Sequence, residues 1–328
     1  MSSLSLYIPH PILHLLHLFN PSRFITNITS HFQSLILRIL RAGPIPRHVA
    51  FVMDGNRRFA RERGWVVRRG HEEGFESLKS TLSLCVGLRI RYITVYAFSI
   101  DNFARPKDEV EGLLELTRGR LRRLCEAGDY MQSHDIKVTF LGRREMLPPD
   151  VLDAVESMER DTSTHQSAVL NVCCPYTSRD EITTAVKRTM EEVESSAISI
   201  SILLYELGSS FAGRDITPRL IESHLATNDP RSLLARDLVP LDDEKESFQE
   251  KESSCEKKPH HPRVVAPPLD ILVRTSDVHR LSDFLMWQTS SGTQLHFVKA
   301  LWPQFGLREM VRVLLAWQRG VLTRRLRD

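Results

Sequence analysis

The chain has few cysteines, little net charge and no apolar run long enough to cross a bilayer. Of its 328 residues five are cysteine (Cys85, Cys125, Cys173, Cys174 and Cys255), without the paired spacing that holds a metal. An odd number in a large chain fits a reducing cytosolic setting, and Cys173-Cys174 lies in an apolar pattern that reads as core. The formal charge of +3 implies no bulk affinity for nucleic acid. The leucine-rich stretch Leu4 to Phe19 is broken by Pro9 and Pro11 and carries His10, His14 and His17. A span needs roughly 20 apolar residues, so this segment is too short and interrupted. No basic residue precedes Arg23, and no secretory signal is expected. The phosphate-loop pattern Gly-x-x-x-x-Gly-Lys-Ser/Thr is missing, which sets aside that class of nucleotide enzyme.

What the chain does have is a 41% hydrophobic content, enough to bury a full core. Strand-length apolar runs occupy His48–Asp54, Tyr92–Phe98, Ile136–Gly142, Ala168–Pro175, Leu269–Thr275 and Leu295–Val298. Helical stripes lie between them. Phe75, Leu78, Leu82 and Cys85 make one, and Val110, Leu113, Leu114, Leu121 and Leu124 a second. Leu307, Met310, Val311, Leu314 and Leu315 make the last. This alternation predicts a single α/β domain with a mainly parallel sheet of about six strands flanked by helices. Residues 1–45 read differently from the body at 46–328. Phe32, Leu35, Ile36, Ile39 and Leu40 share one helical face while Arg38 and Arg41 lie toward another, an arrangement suited to a membrane surface or to packing on the body. Residues 241–268 are rich in charge and proline and predict a disordered polar insertion. Its Asp242-Asp243 is one acidic pair in a solvated run, short of the two facing motifs that all-helical trans-prenyltransferases require.

The most informative stretch is His48-Val49-Ala50-Phe51-Val52-Met53-Asp54-Gly55-Asn56-Arg57-Arg58. An apolar strand ends in a carboxylate, and a small flexible residue lets the backbone approach a ligand. An amide and two guanidinium groups follow. Arg57 and Arg58 offer planar forks that fit phosphate oxygens, and Asp54 beside them suits a magnesium ion bridging to a diphosphate. A strand ending in a solvated, charged turn has the same spacing.

That stretch resembles the signature of the cis-prenyltransferases, the undecaprenyl and dehydrodolichyl diphosphate synthase family. Gly70-His71 follow at the family's spacing. Phe98-Ser99-Ile100-Asp101-Asn102-Phe103-Ala104-Arg105 resembles its Phe-Ser-x-Glu-Asn-x-x-Arg block. Leu269-Asp270-Ile271-Leu272-Val273-Arg274-Thr275-Ser276, with Arg280-Leu281-Ser282-Asp283-Phe284, resembles its C-terminal block, most closely the fungal dehydrodolichyl type. The resemblance implies a domain enclosing a hydrophobic tunnel. It also implies a reaction in which isopentenyl diphosphate is added repeatedly, in cis, to an allylic diphosphate such as farnesyl diphosphate. Gly55, Asn56, Arg57, Arg58 and His71 are then expected on the allylic diphosphate, with backbone N–H groups of the following helix. Arg274, Arg280 and Ser282 are expected on isopentenyl diphosphate, and Asp54 on magnesium between the two. Ser99 and Asn102 are expected around proton removal, with Asn102 orienting the proton toward a diphosphate oxygen because an amide is a poor base. Phe59 and Phe103 are expected along the prenyl path, and Arg105 closes its block on the substrate side.

Departures from the family pattern are also informative. Val67 stands where an arginine is common, and the adjacent Arg68 or Arg69 is expected to serve instead. Asp277-Val278 replaces a glycine-glutamate pair, and the downstream glutamate of bacterial members has no counterpart in Thr289–Phe297. This leaves His279 as the expected second contributor at the metal. The last residues, Gln318 to Asp328, lack the Arg-x-Gly element of homodimeric members. The resemblance therefore implies a catalytic subunit completed by a Nogo-B receptor-type accessory subunit, peripheral on the cytosolic face of the endoplasmic reticulum membrane or on lipid droplets. The alternative is a noncatalytic partner of the same fold, although such partners lack the intact Asp-Gly-Asn-Arg-Arg signature.

Overall fold

A computed structural model of the chain describes residues 21–104, 110–112, 114–115, 118–119, 128–207, 216–229, 231, 233 and 266–326. Residues 241–265 of the insertion expected at 241–268, Arg105, and Leu113, Leu121 and Leu124 of the second helical stripe lie outside the described residues.

The chain enters through helix α1 (Pro21–Leu40) and then alternates strand and helix. Strand β1 (His48–Val52) leads to α2 (Asn56–Glu62) and α3 (Val67–Gly87), and β2 (Tyr92–Tyr96) follows. Next come α4 (Gly128–Ser133), β3 (Ile136–Leu141), α5 (Pro149–Asp161), β4 (Ala168–Cys173), α6 (Ser178–Leu207) and α7 (Pro218–Ser223). Strands β5 (Ile271–Arg274) and β6 (Gln294–Phe297) and helix α8 (Leu307–Arg325) complete the order. The six strands form one sheet in the order β3-β4-β2-β1-β5-β6, and every neighbouring pair is parallel. All six predicted strands are present, each shorter at its C-terminal end or shifted by a residue.

The apolar runs are continuous because the sheet is covered on both faces. Val49, Phe51, Ile93, Val95, Leu170, Val172, Ile271 and Val273 join the main core cluster on one face. Ala50, Val52, Cys173 and Leu272 alternate with them in a second cluster on the other. Helix α3 lays its predicted stripe of Phe75, Leu78, Leu82 and Cys85 on the main core. Helix α8 differs from expectation by part of a turn. Its buried seam is Met310, Val313, Leu314 and Trp317, while Leu315 is exposed. The face expected on α1 is also divided. Leu37 and Leu40 are buried, and Ile36 packs against them, because Gln318 Nε2 on α8 binds the Leu40 and Pro44 carbonyls at 2.8 and 2.9 Å and draws the helix onto the body. Phe32, Leu35 and Ile39 face outward.

Strand β3 would otherwise present free donors at the sheet edge. Val138 N–H donates to Thr162 Oγ1 at 3.0 Å and Phe140 N–H to Glu159 Oε1 at 2.7 Å, so α5 seals it. The entry to β1 is fixed by polar groups instead. Asp270 Oδ2 accepts from the Arg47 and His48 amides, while the buried His48 ring bonds Thr94 Oγ1 at 2.8 Å and the Pro267 carbonyl at 3.2 Å.

Burial lowers the His48 pKa from 6.5 to about 4, against the opposing hydrogen bond to Pro267. The folded chain therefore favours neutral His48, whose contribution is complete above pH 6.5 and is lost as pH falls toward 4. That contribution is about 3 kcal/mol at roughly 1.4 kcal/mol per pH unit. Denaturant unfolding between pH 4 and 7 is expected to show a loss of about this size in the wild type and a smaller one in His48→Gln.

Candidate active site

Strand order reverses direction at β1, with β2 on one side and β5 on the other. Ligands of parallel sheets gather outside the strand C-termini at such a point. Here β1 ends at Val52, opposite Arg274, the last residue of β5. Gly55 then turns the chain directly into α2 with a φ of 104°, a left-handed conformation natural to glycine. A Cβ there would also lie 2.9 Å from Leu301 Cδ2.

Asp54 is held at both backbone and side chain. Its N–H donates to Thr275 Oγ1 at 3.0 Å, and its carbonyl accepts from Thr275 Oγ1 at 2.7 Å and Trp302 N–H at 2.9 Å. Its Oδ2 accepts from Arg274 Nη2 at 2.8 Å. The Arg274 side chain is only 4% exposed, and its Nη1 donates to the Arg280 carbonyl at 2.7 Å and to Ser282 Oγ at 2.6 Å. Arg280 Nε lies 3.3 Å from the same hydroxyl. Ser282 Oγ thus accepts from two guanidiniums, which leaves its own O–H able to donate to a ligand.

The first turn of α2 carries the phosphate-type donors. Arg57 and Arg58 are exposed, and Arg58 Nη1 lies 3.3 Å from the Ser276 carbonyl. The amide of Asn56 donates to Met53 O at 3.3 Å, and its buried Oδ1 has no partner among the described residues. Close approach of α2 and α3 explains the neighbouring glycines. A Cβ on Gly70 would meet Asn56 O and one on Gly74 would meet Asn56 Oδ1, at 2.3 and 2.1 Å. Between them His71 reaches a cavity of about 110 Å³, whose wall also includes Asn56, Met53, Phe75, Leu78 and Trp302. Asn56, His71 and Tyr96 are its polar side chains and most of the rest is apolar, a lining that suits a charged head with a hydrocarbon tail.

Ser99 and Asn102 sit in the turn after β2, where Ser99 Oγ accepts the Asp101 amide at 3.2 Å and Ser99 O the Asn102 amide at 3.1 Å. Tyr96 lines the cavity beside them, and burial pushes its hydroxyl pKa up. Phe103 packs edge-on against Phe98 at 5.3 Å beside the core. Phe59, expected along the prenyl path, lies outside the cavity wall because Arg63 stacks over its ring at 3.6 Å and Trp65 meets its edge. Arg68 and Arg69 are engaged close by, the first with Glu72 on the same helix at 3.2 Å and the second over Trp65, just before that helix, at 3.7 Å. His279 stacks on Phe297 and lies 3.3 Å from Asp277 Oδ1. Among the described residues no three of His, Cys, Asp and Glu gather at one point.

The undecaprenyl diphosphate synthase (Prenyltransf) family model matches residues 52–325. The chain belongs to this family. Its members are cis-prenyl diphosphate synthases, so the enzyme class is prenyltransferase. A dehydrodolichyl diphosphate synthase complex subunit of Schizosaccharomyces pombe is 32% identical over 87% of this chain and 90% of its own length. A human dehydrodolichyl diphosphate synthase complex subunit is 35% identical over 88% of this chain and 72% of its own. The crystal structure of lavandulyl diphosphate synthase from Lavandula x intermedia, in complex with dimethylallyl diphosphate, superposes with a TM-score of 0.61 at 25% identity, covering 83% of this chain and 95% of that one.

Sequence reasoning gave no role to Thr275, Trp302, Arg179 or Asp283, although Thr275 and Asp283 stand inside the C-terminal block quoted above. For Thr275 a signal existed, since a hydroxyl directly follows the arginine that ends β5.

Arg274→Lys removes the fork that serves Asp54, Arg280 O and Ser282 together. A lysine has no such fork to reach all three part-exposed acceptors, and unfolding in denaturant is expected to show a loss of about 1–2 kcal/mol. Arg57→Lys, on an exposed side chain, is expected to stay within about 0.5 kcal/mol of wild type.

Proposed function

We propose that the chain is the catalytic subunit of a dehydrodolichyl diphosphate synthase, adding isopentenyl diphosphate units in cis to farnesyl diphosphate to build a long polyprenyl diphosphate. The observation that carries this reading is the Asp54–Arg274 pair, 2.8 Å apart at the strand ends, with Arg57, Arg58 and the head of an apolar cavity beside it. Arg57, Arg58, Asn56 and His71 receive the allylic diphosphate, and its hydrocarbon enters along Met53, Phe75, Leu78 and Trp302. Arg280 and Ser282, braced by Arg274, receive isopentenyl diphosphate. Separating the two anions on different strand ends lets the departing diphosphate be neutralised while the attacking alkene stays fixed. Asn102 then orients the proton lost after bond formation toward a diphosphate oxygen.

Magnesium fits the donor set. Asp54 gives Oδ2 to Arg274, and its Oδ1 accepts no hydrogen bond among the described residues. Magnesium sites commonly use one or two carboxylates and complete their shell with substrate phosphates and water, which suits a place without a third acidic or histidine ligand. When bound, the ion neutralises charge on the departing diphosphate. Asp54 would hold it, with His279 as the second contributor.

The names of the fungal and human relatives, both subunits of a complex, support a heteromer, here with an accessory subunit of the Nogo-B receptor type. Incorporation of isopentenyl units from farnesyl diphosphate and magnesium is expected to be strong with that subunit, weak without it, and at least about 100-fold lower in Asp54→Ala. Full activity of the single chain would remove the heteromer from the reading. An inactive complex would favour a noncatalytic role.

The same reading places α1 on the cytosolic face of the endoplasmic reticulum membrane. Its twenty residues include no acid, and Phe32, Leu35 and Ile39 are exposed beside Arg38. Co-sedimentation with vesicles containing anionic lipid is expected, and serine at all three apolar positions is expected to weaken it at least tenfold, at about 1.5 kcal/mol or more per buried large side chain.

A further inference from the structure

The segment from Ser276 to Leu285 carries both Arg280 and Ser282, and its backbone is unusual. Ser276, Asp277, Ser282, Asp283 and Leu285 all have positive φ, between 49° and 73°. None is glycine, so the conformation persists only where surrounding contacts impose it. The first part is tied to the β6 side, where Ser276 N–H donates to Ala300 O at 2.8 Å and Asp277 N–H to Val298 O at 3.0 Å. The second part is tied to the first turn of α6. Ser178 N–H donates to Asp283 O at 2.8 Å, and Met286 N–H donates to Ser178 Oγ at 2.8 Å. The Asp283 carboxylate accepts from Arg179 twice, from the backbone N–H at 3.0 Å and from Nε at 2.8 Å. Phe284, fully buried, stacks on Tyr96 at 4.7 Å and anchors the next residue.

Asp283 is the junction of this clamp, adjacent to Ser282 and sharing its left-handed backbone. Aspartate tolerates that conformation better than most residues. Its side chain is 11% exposed, and its two oxygens are already committed to Arg179, so it has no free face for substrate. Arg179 also reaches Asp101 at 3.5 Å in the turn that carries Ser99 and Asn102. One guanidinium therefore touches both loops that the proposed chemistry requires.

We propose that Asp283 is a positioning residue, which through Arg179 holds the Ser282 hydroxyl and the Arg280 guanidinium in register for the diphosphate of isopentenyl diphosphate. This rests on the functional reading above and adds to it a residue that acts on one substrate only. The allylic diphosphate site on α2 meets this segment at its Ser276 end, through Arg58 and the Ser276 carbonyl, seven residues from Asp283, so its affinity is expected to depend little on Asp283.

The test is steady-state kinetics on the full chain, with its accessory subunit, varying each substrate separately. Asp283→Ala is expected to raise KM for isopentenyl diphosphate roughly 10- to 100-fold, with KM for farnesyl diphosphate changed less than about twofold. Asp283→Asn keeps an acceptor for the Arg179 amide and a side chain that tolerates left-handed backbone, and should restore most of the loss. Arg179→Ala, which deletes a 72% exposed side chain and leaves the backbone bond, should shift the same KM by less. Equal changes in both KM values, or a melting shift with no KM change, would overturn the proposal. So would Asp283→Ala indistinguishable from wild type. A wild-type complex that incorporates no isopentenyl unit would instead overturn the functional reading, and this inference with it.

Discussion

The interaction on which the site depends is the ion pair between Arg274 and Asp54. Arg274 lies at the end of a strand buried on both faces, and a guanidinium there needs its charge paired. Its two Nη groups meet three acceptors, the Asp54 carboxylate, the Arg280 carbonyl and Ser282 Oγ, while its buried Nε has no partner among the described residues. The strand-end loops of β1 and β5 are thus fastened to each other by the group that also fixes the bearing of Arg280 and Ser282. Removing Asp54 would leave the Arg274 charge buried and uncompensated, which costs several kcal/mol. The cost of desolvation and the geometry of the site are therefore set by the same bonds.

Strain in the segment after β5 follows from this. Arg274 Nη1 must reach both the Arg280 carbonyl and the Ser282 hydroxyl, which requires the chain to double back within eight residues. Left-handed residues make that reversal, at a cost of roughly 1–2 kcal/mol each for side chains other than glycine. Bonds from α6 and the buried Phe284 offset it. The positive φ of Asp277 also gives a physical reason why glycine is common at that place in the family pattern.

Legibility in the sequence followed range. The six strands were readable because a sheet covered on both faces demands unbroken apolar runs, and the stripe of α3 because one helix face meets that sheet. Asp54, Gly55 and Arg274 were readable because strand ends in parallel sheets gather ligands. Strand ends were overestimated where apolar residues such as Met53 and Phe98 continue past the last ladder bond to form cavity wall or core. The outward and inward sides of α1 were merged, since nothing local in Ile36 or Leu40 announces that Gln318, 278 residues away, will bind the Leu40 carbonyl. Asp283 stood in the quoted C-terminal block without a role, and Arg179 was not singled out, because the two are 104 residues apart and nothing local pairs them.

Strand β1 shows how the sheet separates stability from chemistry. At its start, polar groups are saturated: Asp270 takes the Arg47 and His48 amides, and the His48 ring spends both nitrogens on Thr94 and Pro267. At its end, capacity is left over. Asp54 keeps one carboxylate oxygen unbonded among the described residues, Asn56 keeps a buried amide oxygen, and Arg57 and Arg58 remain exposed. A buried acceptor without a partner costs about 1–3 kcal/mol, so a sequence shaped for stability alone would not retain it beside a cavity. The surplus lies at one end of the strand only, where Gly55 and the glycines of α3 bring two backbones close enough to share one ligand. Five residues of fully buried strand hold these two polar ends apart.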